Sequence, residues 1–150
     1  MLYERFVGLC SELVRNLVER GAVRRFAEAI DDPSPLYVDE GAAARNRYGR
    51  IVALPTFPRT FDYGRIEGLE LPPAGLIHGE FRIAYERPLL VDEELLRRME
   101  LKASYDEQSC RGLLGLLAFE RTGEGLQGES VFAANDIVVV TEALRRGIEV

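Results

Sequence analysis

The chain has no tryptophan, one histidine, two cysteines and two methionines among its 150 residues. One histidine and two scattered cysteines cannot supply the ligand set of a zinc site, so no metal is expected. Cys10 and Cys110 make no disulfide framework. With no basic or imidazole neighbour to activate them, they read as small buried apolar side chains, reduced, in a cytoplasmic protein. No apolar run approaches the ~18 residues of a membrane span. Met1-Leu-Tyr-Glu-Arg-Phe lacks the basic-then-apolar order of a signal peptide. Positive charge is also scarce. Nineteen Lys and Arg face 25 Asp and Glu, a formal net charge of −6, which argues against nucleic acid as a partner. There is no internal repeat or low-complexity stretch, and no cofactor is expected.

What is present is an ordinary globular composition, 47% hydrophobic, in a chain long enough for one core and read as a single domain, residues 1–150. Residues 2 to 12 fit a short helix. Leu13 to Val18 fits helix or strand, and periodicity leaves both open. Val23, Phe26, Ala27 and Ile30 fall at helical spacing and predict a helix over residues 22–30. Pro33 and Pro35 stop it. Asp39 is placed to cap a second helix over residues 40–47, with Gly49 past its end. Pro55 suits the first turn of a third helix carrying Phe57.

From residue 79 the period becomes two. Phe81, Ile83 and Tyr85 alternate with Arg82, Ala84 and Glu86. Leu95, Met99, Leu101, Ala103 and Tyr105 are expected on one face, opposite Leu96, Arg98, Glu100 and Lys102, with Arg97 and Arg98 at an edge or on a wet face. Residues 113–119 are apolar on both faces, as in a covered central strand. Gly123, Gly125 and Gly128 mark a hairpin turn before residues 131–140. Helices early and strands late predict an α+β fold.

Asp31-Asp32-Pro33-Ser34-Pro35-Leu36-Tyr37-Val38-Asp39 resembles the motif G-D-x-N-P-L-H-x-D of the MaoC-like hydratase/dehydratase family. Ile51-Val-Ala-Leu-Pro-Thr-Phe57 is similar to the I-V-A-P-P-T-F stretch of that family's N-terminal-type domains. Leu76-Ile-His-Gly-Glu80, Tyr85-Glu-Arg-Pro-Leu89 and Val91-Asp-Glu-Glu-Leu95 continue the match in order, so the likeness spans residues 20 to 140. The resemblance implies a strand at Leu13–Val18. It also implies a hot-dog fold, an antiparallel sheet wrapped around a central helix. The implied activity is reversible dehydration of a (3R)-3-hydroxyacyl thioester of CoA or acyl-carrier protein. The branch it points to holds non-catalytic subunits, so a homodimer, or a heterodimer with a catalytic MaoC-like chain, is expected.

The dehydration needs a group to take the α-proton, a group to protonate the departing hydroxyl, and a donor for the thioester oxygen. The family's catalytic Asp falls on Asp32 and its catalytic His on Tyr37. A phenol with a pKa near ~10 donates hydrogen bonds but is a poor base at neutral pH. Ser34 stands where the family has Asn. Turn chemistry alone also accounts for Asp31, Asp32 and Ser34. Leu54 or Thr56 would give the N–H for the thioester carbonyl, at a helix start that is otherwise ordinary core. Phe57, Phe61, Tyr63 and Ile66 either line an acyl tunnel or simply fill the core. His78, at a strand start, reads as a hydrogen-bonded structural residue, with a substrate contact or a direct catalytic role as the alternatives. Arg45, Arg47, Arg50 and Arg59 either meet phosphates or are solvated.

Overall fold

The computed structural model describes residues 1–148. Five antiparallel strands form one sheet in the order β1-β3-β4-β5-β2: β1 Val14–Leu17, β2 Ile77–Tyr85, β3 Glu94–Ser109, β4 Gly112–Glu124 and β5 Ser130–Val140. The apolar run at 113–119 therefore does become the central strand, and the 123–128 glycines do turn the β4–β5 hairpin. Helices cover one face: α1 Arg20–Ala29, α2 Pro35–Val38, α3 Glu40–Arg45 and α4 Glu142–Ile148. This is the expected α+β class.

Local chemistry sets the boundaries. The Glu19 carboxylate accepts from the N–H groups of Gly21 and Ala22 and caps α1, whose Val23 and Ala27 are fully buried. The helix ends in a Schellman turn. The Asp32 N–H donates to the Ala27 carbonyl at 2.9 Å and the Asp31 N–H to that of Glu28 at 3.2 Å, with Asp31 left-handed at φ 56°. Asp39 caps α3 through Oδ1 and the Ala42 N–H at 2.9 Å, as expected.

The sheet's inner face carries two hydrophobic cores. One joins Val23, Ala27, Leu54, Phe57, Leu95 and Phe132; the other joins Leu2, Phe6, Leu101, Leu117, Phe119, Val138 and Val140. Between them runs a polar seam of Arg97 on β3, Arg121 on β4 and Asp136 on β5. Arg121 pairs with Met99 and Phe81 with Asp136 across the ladder, so these side chains share the inner face. Arg97 is 4% exposed. The edge or wet face expected for it is wrong, because Leu95 and Met99 put the β3 residues of that parity on the inner face and the side chain enters beneath residue 61.

Three more expectations are corrected. A bulge between Leu101 and Ala103 shifts the β3 alternation by one, so buried Ser104, not Ala103 or Tyr105, continues the inner row. Cys10 and Cys110 are exposed, Cys10 on an isolated bridge and Cys110 at the β3–β4 turn. The third helix is only a 3-10 turn, Phe57–Thr60. Its bonds run three residues back, Phe57 to Leu54, Arg59 to Thr56 and Phe61 to Pro58. Pro58 has no N–H for a four-back bond, and the chain leaves extended at Phe61.

Candidate active site

The site expected around residues 32–37 lies on an apolar cleft of about 370 Å³. Its walls are Leu36 and Tyr37 of α2, Val52, Ala53 and Pro55, and the end of β2 with the following turn, Tyr85 to Leu89. Three bonds hold these walls together. The Val52 N–H donates to the Leu36 carbonyl at 3.3 Å, Ala53 to Leu89 at 2.9 Å, and the Tyr85 hydroxyl to the Pro55 carbonyl at 2.6 Å. Pro35 starts α2 and presets its φ, so Leu36 and Tyr37 are presented from a stiff turn.

Tyr37 is half-buried against the core. Burial, and next the charge of Asp32, raise its phenol pKa above the ordinary 10. Asp32 lies close enough to act on this phenol but is exposed and not among the residues that line the cleft, and Tyr37 is a proton donor at neutral pH. Tyr85 is pushed higher still by desolvation. The cleft therefore offers apolar walls and the Tyr37 phenol as a donor, with Glu86 and Arg87 on its lining and no histidine.

The other expected residues divide. Leu54 and Phe57 are packed in the core at 1% and 3% exposure, outside the cleft lining. Phe57 instead meets Phe26 and Phe61 edge to face at 5.6 and 5.3 Å. Thr56 is exposed on the turn beside Pro55. Phe61, Tyr63 and His78 line a separate, smaller chamber with Arg121 and Asp136. Arg47 stacks on Tyr48 and Arg59 on Phe81. Sequence reasoning missed Arg121 and Asp136 as site residues. The available clue was Asp136, the one charged residue of β5; Arg121 follows Glu120 in β4 and carries no such mark.

The sheet, its helical cover and the cleft beside α2 define a hot-dog domain of the MaoC-like dehydratase class. The chain belongs to the family described as FAS1-like, dehydratase domain region, whose model matches residues 5–134. It is 30% identical over 128 residues to a UPF0336 protein of Saccharopolyspora erythraea, covering 81% of this chain and 80% of that one. Of other curated relatives that it matches, the chain spans about half the length. A MaoC-like dehydratase of Rhodospirillum rubrum superposes with a TM-score of 0.67 at 25% identity, over 90% of this chain and 92% of that chain. The HadBC (3R-hydroxyacyl-ACP dehydratase) complex of Mycobacterium tuberculosis has a chain of the same fold, TM-score 0.72 at 20% identity, with 90% and 97% covered. Among the described residues no helix is long and apolar enough to cross a membrane.

Proposed function

We propose that this chain is the substrate-holding half of a (3R)-hydroxyacyl-thioester dehydratase, paired with a chain that carries the complete Asp/His motif. The observation that carries this reading is Tyr37 on the cleft. It stands at the position of the family's histidine, and burial and Asp32 both keep its proton on. Proton abstraction from the α-carbon needs a base, and a neutral phenol beside a carboxylate supplies a donor instead. Asp32 and the Pro35-Leu36 turn keep the loop shape, with Ser34 in place of the family's Asn and without the base.

The cleft suits an acyl chain. Leu36, Val52, Ala53 and Leu89 give apolar contact, and each buried methylene contributes about 0.8 kcal/mol. The thioester oxygen would lie by residues 54–56; Leu54 is packed in the core outside the cleft lining, which leaves the N–H of exposed Thr56 as the donor. The backbone bonds of this segment run instead from Ala53 and Phe57. A four-residue 3-10 turn brings no long-helix dipole, so any oxyanion support here is a local N–H. The two-chain composition of HadBC supports pairing with a catalytic subunit.

The test is hydration of crotonyl-CoA by the purified chain alone. Loss of one general acid–base group lowers the rate by about 10²–10⁴, so turnover should be far below the order of 10 s⁻¹ typical of enzymes. Full turnover by the lone chain, abolished by Asp32→Asn, would make it a hydratase in its own right. Calorimetry adds the binding arm: octanoyl-CoA should bind at least tenfold more tightly than CoA. Binding without turnover, even with a catalytic partner present, would leave an acyl-thioester-binding dimer.

A further inference from the structure

The chamber beneath β2 is chemically unlike the cleft. It holds about 160 Å³ between the aromatic walls Phe61, Tyr63 and Phe81, with His78, Arg121 and Asp136 at its polar end. Asp136 has a side-chain exposure of 3%. Its Oδ2 takes both Arg121 Nε at 3.0 Å and Arg121 Nη2 at 2.9 Å. Its Oδ1 is buried and has no hydrogen-bond partner among the described residues. His78 Nδ1 lies 3.8 Å from it, beyond hydrogen-bond reach. A buried carboxylate oxygen left in this state is costly.

We infer that this chamber is a binding site for a hydroxyl group, donated to Asp136 Oδ1. Elimination among ligand classes leads there. An alkyl end would leave Oδ1 dry and unpaired. A carboxylate would set acceptor against acceptor, since Arg121 is already committed to Oδ2. An ammonium would meet Arg121 in the lining and Arg59, whose guanidinium lies over Phe81 at 4.7 Å, against one carboxylate. A neutral hydroxyl gives its proton to Oδ1 and accepts from His78 or Arg59, while its carbons lie against the aromatic walls. The His78 side chain is 63% exposed and turns aside freely to admit it. At ~30 Å³ per heavy atom the space takes about five, which matches a four-carbon alcohol or the hydroxylated end of a longer ligand. The site stands apart from the cleft, and the inference does not need the cleft to take a thioester.

The test is a competition among four-carbon probes on the whole chain. Butan-1-ol, butanoate and butylammonium are titrated while the His78 ring resonance is followed, a unique reporter because the chain has one histidine. Butan-1-ol should bind about tenfold or more tightly than either ion, the worth of one hydrogen bond to a charged group. The preference should vanish in the double variant Asp136→Leu, Arg121→Met, which removes both members of the pair and leaves no stranded charge. It should vanish equally in Phe81→Trp, which fills the chamber and keeps the pair. Equal binding of the three probes, preference for an ion, or survival of the alcohol preference in the double variant would overturn the inference. A parallel comparison of 10-hydroxydecanoyl-CoA with decanoyl-CoA identifies the source. A tenfold gain there assigns the hydroxyl to an acyl tail, and its absence beside a positive butanol result assigns it to a free alcohol. Failure of decanoyl-CoA to outbind CoA would count against the thioester reading of the cleft alone.

Discussion

Replacing Arg97 with methionine should stabilise the protein even though it removes a conspicuous contact. The guanidinium lies 4.0 Å from the centre of the Phe61 ring. The residue is 4% exposed, its Nε has no partner, and among the described residues no carboxylate comes within ion-pair distance. Burial lowers its pKa from the ordinary arginine value, with Tyr63 and Asp62 opposing, as expected for a cation held out of water. Desolvating an ion costs several kcal/mol in a real protein. A desolvated cation–π contact offsets about 2 kcal/mol. Methionine reproduces the aliphatic stem and keeps contact with the Phe61 edge. The net change should be a gain of about 1–3 kcal/mol, or about 2–4 °C in Tm for each kcal/mol in a chain of this size. Urea unfolding measures it: the midpoint should rise with the slope unchanged, which separates a stability change from altered compactness. A loss of about 1 kcal/mol or more would refute the reasoning, since it would mean that the Arg97 cation is better satisfied than its surroundings show.

Gly123→Ala should cost about 1–3 kcal/mol, because a methyl there would overlap the Phe132 ring on the neighbouring strand; a neutral result in the same urea assay would mean the ring repacks freely. Asp31→Gly should raise stability by about 0.5 kcal/mol, since Asp31 holds the left-handed Schellman position that glycine fills without steric cost. Asp106 is held below the ordinary carboxylate value of 3.8, first by its hydrogen bond to Arg145. A depressed folded pKa gives stability above the unfolded pKa that is lost as pH falls through the folded one. Asp106→Asn should therefore lower the urea midpoint near about pH 7, and the gap should shrink progressively as pH falls below the ordinary 3.8; an unchanged gap would dismiss the pair as the cause.

The sequence by itself determined which segments are helix, strand and turn wherever one short-range rule governs. The Val23–Ala27 part of the helical stripe, the Asp39 cap, the Pro33–Pro35 stop and the Gly123–Gly128 turn all act over a few residues and all appear in the fold, while Ile30 stands exposed as the helix C-cap. It also placed Asp32 and Tyr37 on one loop, because five residues around a proline turn cannot separate far. The tertiary structure alone decided what lies across strands. Arg97, Arg121 and Asp136 are 15 to 39 residues apart in the chain and meet only through β3–β4–β5 register. The bulge at Leu101–Ala103 reverses the β3 alternation beyond it, and no local pattern marks that bulge. The truncated third helix was half legible: Pro58 forbids a regular ladder, but only packing beneath Phe132 shows that Phe61 and Tyr63 run extended there. Side-chain period is a one-dimensional quantity and reports which face a residue takes. What it faces depends on which strand lies alongside, and long-range pairing settles that.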